Sequence, residues 1–511
     1  MNKLNDEKDQ SLYEWNSNLR SFELFIGDSG EITNSQVKRW LKDPMLYHLE
    51  LRHLSGRMYN ANGVYTNVID YMVSLPTLDN VVYSTNKNNH NKSKKNVEKY
   101  KKSLKKIRDK VLIRDAIRKL AMDGIVYYYF NTELSSSLPS TLEDYDISQI
   151  KEINDFDFNC ALMPLPTDYC RIIGTLNSSY VVAFNLSYFD QFLSNGRSLK
   201  LKRYPQEIRK KYQEYRKDTT KKWMVLDNKK TVSSKVRASI EEPYGRPIGL
   251  AAFIDMLYED YFTESKRGVL DDNNNLIIYQ TFPEGDSKGS SSLTNTQQKD
   301  QHDNIRNALF ARGNRKKVSF FSVASGTKLD KVSANVELLK TNSEEALIKK
   351  IATDLGFAGS ALNGEDSNFT SQKTNLDLVA AEIFSWIEQL ENEFNKVINY
   401  NIIQDPNDYI EVYYLPITYI NRSETITNMK ELYTLGRGSL IAWISATGFR
   451  PDAYLALMDY EIAENFEEKY KPHLTSYTAT ENGGRPSNDN PTNENTIKSK
   501  TNGSNDYPKN H

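Results

Sequence analysis

The sequence predicts an α+β fold, and three stretches carry that prediction. Residues 371–399 place Leu376, Val379, Ile383, Ile387, Leu390, Phe394 and Val397 at alternating steps of three and four, which builds one apolar stripe along a long helix. After Asp123-Gly124 the chain reads IVYYYFNTE, the alternation of a strand, and further strands are expected at Ala161 to Met163, Tyr169 to Ile173 and Tyr180 to Asn185. Residues 268–340 mix the two types: a strand LIIYQTF, a GDSKGSSS turn, a polar helix TNTQQKDQHDNIRNALFA and a strand KVSFFSV.

Taken in order, the chain opens with polar residues, expected to be flexible, although Trp15 and the run from Phe22 to Ile26 lie among them. A capped helix follows from Asn34, with Val37, Trp40 and Leu41 on one face. Pro44 restarts the chain. Tyr47 to Tyr59 and Val64 to Met72 predict two more helices around a turn at Asn60 to Gly63, and Asn80 to Tyr83 a strand after Pro76. Residues 84–110 are basic and Asn-rich, a loop turning helical, with Ile107, Val111, Ile113 and Ile117 as apolar anchors. Their charged face is either solvated or turned toward phosphate, the second reading being weakened by Glu98, Asp109 and Asp115. The acidic stretch TLEDYDISQIKEINDFDFN reads as a surface insertion between strands. Lys202 to Lys217 predicts a helix opened by Pro205 with Ile208, Tyr212 and Tyr215 on one side, and Trp223 to Asp227 a strand.

A further helix starts at Pro247, closes at Gly268 and has Ile248, Ala252, Phe253, Met256, Leu257 and Tyr261 on its apolar side. A shorter one, capped at Asn342 or Ser343 ahead of Glu344 and Glu345, turns Leu347, Ile348, Ile351 and Leu355 inward and stops at Gly356. The linker to the long helix, GFAGSALNGEDSNFTSQ, carries Gly356, Gly359 and Gly364 with little apolar material, so it lacks a core of its own and is expected to move. Beyond the long helix come a strand from Tyr409 to Tyr414 ending at Pro416, then three or four short helices punctuated by Gly436, Gly438 and Gly448 to Pro451. From about Pro472 the composition is that of a disordered tail.

At 511 residues more than one structural region is expected. With 66 basic against 67 acidic side chains, whole-chain charge favours neither nucleic acid nor membrane, so any contact with DNA must be local. The 32 tyrosines are spread along the chain and read as packing and interface residues. Cys160 and Cys170 stand without histidines at metal spacing, which supports neither a disulfide framework nor zinc and suggests a reducing, intracellular assembly site. His48 and His53 are five apart, unlike the pair of a zinc helix, and read as structural histidines. Asp155, Asp157 and Asp168 could form a paired-carboxylate site only if an acid, base or metal partner were nearby, and none lies at recognisable spacing. No basic-then-apolar leader and no membrane-length apolar run is seen, so a soluble, unprocessed protein is expected. There is no GxxxxGK[ST], GxGxxG after a strand, HExxH or GxSxG, hence no expected enzyme activity, metal or cofactor.

Several stretches resemble the portal proteins of tailed bacteriophages. The run from Leu51 to Asp79 is similar to a wing element of the Gram-positive long-tailed phage type, and LPTDYCRIIG, from Leu165 to Gly174, to an element of the wing sheet. The YPQEI helix at Tyr204 to Ile208 matches the segment ahead of the first stem helix. Leu355-Gly356-Phe357 and Ser367-Asn368-Phe369 occupy the places of the turn and the SN(F/Y) element around the tunnel loop. The resemblance runs over roughly residues 35–470. It implies a portal fold: a flexible arm 1–33, a wing 34–243 with mixed sheet and helices, a first stem helix 244–267, a small α/β clip 268–340 and a second stem helix 341–356. A tunnel loop 357–370, the long wing helix and strand 371–418, a helical crown 419–471 and a disordered tail 472–511 complete it.

By the same resemblance the chain would form a homo-oligomeric ring, usually of twelve subunits, at one capsid vertex of a virion, assembled in the host cytoplasm. Double-stranded DNA would pass through it. Its partners would be the terminase large subunit, the head-tail connector, and the major capsid and scaffold proteins, with no membrane. Gly359, Ser360, Asn363, Gly364, Glu365, Asp366, Ser367 and Asn368 would present a polar, partly negative loop to the duplex, and Lys349 and Lys350 are candidate channel cations, an exposed or intersubunit face being the other reading. The alternative function is a non-viral DNA-associated or scaffolding protein that uses the basic helix near 95–110.

Overall fold

The computed structural model describes residues 32–86, 90–132, 160–177, 179–274, 277–287, 290–310, 323–332, 341–357 and 369–470. The expected arm up to residue 31, the acidic insertion and the tail beyond residue 470 lie outside them. The fold is α+β. One compact unit holds residues 1–448 and a second holds 449–511.

The first unit begins with α1 (Asn34–Lys42), α2 (His48–Ala61) and α3 (Gly63–Ser74). Thr33 caps α1 in a reciprocal box with Gln36, and Val37 and Trp40 are buried. The turn expected at Asn60 to Gly63 shrinks to Asn62, whose side chain accepts from the Tyr65 N–H and so starts α3 at once. After β1 (Asn80–Ser84), α4 (His90–Ile107) is followed directly by α5 (Asp109–Asp123). Arg108 between them is left-handed, φ 51°, and this kink resets the helical phase. Ile113 and Ile117 are buried, but Val111, expected as an anchor, is 66% exposed.

Next come β2 (Ile125–Asn131), β3 (Ala161–Pro164), β4 (Cys170–Leu176), β5 (Ser179–Asn185), α6 (Ser194–Lys202), α7 (Gln206–Lys217), β6 (Trp223–Val225) and β7 (Thr231–Lys235). They form two antiparallel sheets of order β3-β2-β7 and β4-β5-β6. Strand β2 is buried on both faces. Val126, Tyr128 and Phe130 enter the larger core, built mainly from helices, while Ile125, Tyr127 and Tyr129 enter a second core with Phe184, Phe189, Tyr204 and Tyr212, as the two-residue period of a strand requires. The strand starts from Gly124 at φ +76°, where backbones cross so closely that a Cβ on Gly245 would sit 1.8 Å from the Gly124 carbonyl oxygen.

The chain continues through α8 (Phe253–Asn274), β8 (Ile277–Thr281), α9 (Asn295–Phe310), β9 (Lys328–Val332), α10 (Thr341–Asp354), α11 (Phe369–Ile398), β10 (Ile410–Tyr414), α12 (Arg422–Thr434) and α13 (Leu440–Thr447). Four expectations are corrected here. Helix α8 runs past Gly268, because a helical glycine costs only about 1 kcal/mol and is a stop only when it turns left-handed. Tyr261, expected on its apolar side, is 67% exposed. Helix α10 begins at Thr341, ahead of the expected caps. Of the strand expected at 317–323, residues 317–322 lie outside the described residues and Val323 is not in a strand; β8 pairs antiparallel with β9.

Helix α11 carries the stripe as expected, with Val379, Ile383, Ile387, Leu390, Phe394 and Val397 buried in the larger core and Leu376 packed against it. Its last turns also serve β10, which has β1 on one edge. On the other edge Glu391 accepts from the Tyr414 N–H at 2.9 Å and Asn395 accepts from the Val412 N–H at 2.9 Å. Four residues of helix rise about 6 Å and two residues of strand about 6.6 Å, so helical side chains at intervals of four can follow a strand edge at intervals of two. In the second unit, α14 (Pro451–Ala463) and α15 (Phe466–Lys469) are joined by aromatic contacts of Phe466 with Tyr460 and Tyr470.

Candidate functional site

The residues around the start of the glycine-rich linker form the site of interest. Helices α8 and α10 lie antiparallel: Lys266 pairs with Glu344 at one end and Lys350 with Asp255 at 2.9 Å toward the other. Helix α8 enters from a 3₁₀ turn at Ile248–Ala251, and Ala252, Phe253 and Met256 are buried. A Cβ on Gly249 would meet the Phe253 ring at 2.6 Å, so glycine is what lets this turn sink against Phe253 and Tyr65. On α10, Ile351 and Ala352 face the core and Lys349 is exposed.

Helix α10 ends in a complete Schellman cap. Gly356 is left-handed at φ +89°, its N–H bonds the Thr353 carbonyl at 2.9 Å, and the Phe357 N–H reaches back to Ala352 at 2.9 Å. Phe357 is buried in the core with Ile351 and Leu355. From the other side of the linker, Asn375 on α11 donates to the Gly356 carbonyl at 3.1 Å. Both ends of the linker are thus tied to one place. Gly359, Ser360, Asn363, Gly364, Glu365, Asp366, Ser367 and Asn368 lie outside the described residues.

The charges at this base are partly cancelled. The Asp255 hydrogen bond raises the Lys350 ammonium above its ordinary pKa, while burial and the neighbouring Asp255 raise the Asp354 carboxyl. Farther along α11, Lys396 bonds Glu393 at 2.7 Å and Ser179 at 2.6 Å, and Ser179 bonds Glu393 at 2.7 Å. This closed polar triangle fixes the helix against β5. Asp255 and Asn375 were not legible as partners in the sequence, because pairing across 95 positions, for Asp255 with Lys350, and 19, for Asn375 with Gly356, leaves no local pattern.

The other residues singled out in the sequence have structural partners. Asp168 meets Arg52 and His53 at 3.0 Å each, tying the turn before β4 to α2. Burial alone would raise the Asp168 carboxyl, but the His53 hydrogen bond and the Arg52 charge hold it below its ordinary value. His48 stacks on Tyr244 at 3.6 Å between ring centroids, and burial, with Arg52 beside it, lowers its pKa to about 3. Cys160 and Cys170 are free and buried; Asp155 and Asp157 lie outside the described residues. Among the described residues no group of three or more His, Cys, Asp or Glu is placed to hold a metal ion, and no helix is long and apolar enough to cross a membrane.

No protein-family model matches the chain. It is 23% identical over 494 residues to the SPbeta prophage-derived uncharacterized protein YonE of Bacillus subtilis (strain 168), covering 94% of this chain and 91% of that protein. Among solved structures, a chain from the virion of a native gene transfer agent particle superposes with a TM-score of 0.45 at 10% identity, over 79% of this chain and 94% of that one. A chain from the neck of the native particle, computed with C12 symmetry, gives 0.44 at 10% identity over the same 79% and 94%. An HK97 family phage portal protein from Corynebacterium diphtheriae gives 0.25 at 11% identity, over 59% of this chain and 76% of that one.

Proposed function

We propose that this chain is a phage portal protein, of the Gram-positive long-tailed type, forming a ring at one capsid vertex through which the genome is packaged and ejected. One observation carries the reading: an antiparallel helix pair whose second member leaves through a rigid cap at Gly356 into a polar linker, which returns as a helix of 30 residues. A channel through which DNA must slide is served by such a polar loop on a fixed base. The sequence similarity to a prophage-derived protein supports a phage origin.

In this reading the linker faces the duplex, and Asn363, Glu365, Asp366 and Asn368 present groups that hold phosphate weakly. Lys and Arg contacts each add affinity and drag, and a conduit is served by few of them. Lys349 and Lys350 would supply the stem's positive charge, that of Lys350 moderated by Asp255. The segment with β8, α9 and β9 would meet the terminase and later the head-tail connector, and capsid and scaffold proteins would surround the ring.

Native mass spectrometry of the purified chain with negative-stain imaging tests this. The expected result is a ring of about twelve copies, as in family members, with a hole wide enough for duplex DNA. A chain that stays monomeric even when produced together with its scaffold and capsid proteins would overturn it.

A further inference from the structure

Helix α4 has a chemistry the channel does not use. Its sequence, HNKSKKNVEKYKKSLKKI, holds eight lysines against one glutamate. Ser93, Asn96, Tyr100, Ser103, Leu104 and Ile107 form its buried face, which leaves the lysines to the outside and edges. Lys95, Lys99 and Lys102 line a groove of about 400 Å³, closed on its other side by Asn401, Ile402 and Gln404, with Glu98 as its one carboxylate.

We propose that this groove binds the phosphate backbone of duplex DNA irrespective of sequence, at a surface separate from the linker base. Three observations point there. The acidic residues that follow Gln404 are already engaged: Asp405 pairs with Lys92 at 2.6 Å and Asp408 accepts from Asn96 at 2.8 Å. Among the described residues Lys95 and Lys99 have no carboxylate partner, although they are exposed on a helix where an ordinary solvated face would intersperse acids. Lys95 to Lys102 covers about 10 Å of helix axis, a length over which duplex DNA carries about six charges. The proposal needs no ring and stands whether or not the portal reading does.

The test is binding of a fluorescent, covalently closed duplex minicircle to the full-length chain, since a closed circle cannot thread a preformed ring. Binding is expected with an affinity that falls linearly on a log scale with salt. The double variant K95E/K99E is expected to lose at least about tenfold in affinity near 0.1 M salt and to flatten the salt slope by about two. An unchanged thermal midpoint would show that this variant folds. K211E, which alters an exposed lysine paired with Glu214 on α7, is expected to bind as the parent does. Failure to bind the minicircle, or equal binding by K95E/K99E, overturns the proposal. So does poly-glutamate binding tighter than the minicircle and displacing it, which would assign the groove to an acidic protein instead.

Discussion

Asn399 meets Ile410 with both halves of its side-chain amide, donating to the Ile410 carbonyl at 2.7 Å and accepting from its N–H at 3.0 Å. A side chain on a helix here takes the place of a neighbouring strand. Asn399→Leu removes both bonds while filling similar volume, leaving a buried N–H and C=O unsatisfied. The expected loss is about 2–3 kcal/mol, read as a lower denaturant midpoint with an unchanged slope. A loss under about 0.5 kcal/mol would mean that water replaces the amide.

Glu391, two helical steps earlier in this ladder, behaves differently with pH. Burial, with Glu388 and Glu411 nearby, raises its pKa to about 7 against the stabilising Tyr414 N–H. The native state therefore holds a proton that the unfolded chain has released, and stability contributed at low pH is lost as pH rises from about 4.5 to about 7. Glu391→Gln keeps an acceptor for Tyr414 and removes the charge. It is expected to be more stable than the parent at pH 8 by about 1 kcal/mol, allowing for partial exposure, and no more stable at pH 4. Equal stability at both pH values would contradict the raised pKa.

Asp168 has the opposite sign. Its lowered pKa gives stability that is present above the ordinary carboxylate range and lost as pH falls through the lowered value. Asp168→Asn leaves Arg52, whose side chain is only 3% exposed, buried without its counter-charge. A loss of about 2–3 kcal/mol is expected near neutral pH, shrinking under acid, as followed by thermal unfolding across pH.

Deleting residues 363–367 shortens the linker without touching Phe357 or Asn375. For the proposed portal, ring assembly is expected to survive, because the cap and the Gly356–Asn375 bond remain, while DNA packaging falls. Full-length packaging by the deletion variant would overturn the proposal that the linker lies in a channel.

The long helix was legible because an apolar residue every three or four positions is a local signal, and so was the stop at Gly356, where Leu-Gly-Phe writes a left-handed cap followed by its apolar contact. Val111 was misplaced for a specific reason: the pattern from Ile107 assumes one continuous helix, and left-handed Arg108 breaks its phase. Nothing in the sequence singles out Asn395 and Asn399, since their partners are backbone atoms of a strand that no side-chain pattern announces. At the linker base, the helix stop at Gly356 was legible, but Asn375 and Asp255 were not, being set by packing between separate segments.

Strand β2 has one further consequence. Because its odd and even residues are the inner lining of two different cores, neither core can open without exposing one side of the same seven residues. Loosening either side removes the support that holds the other, so the helical and sheet-rich halves of the first unit should melt together. In hydrogen exchange the amides of Val126 to Phe130 should then be among the last to acquire deuterium, at a rate reporting the opening of the whole unit.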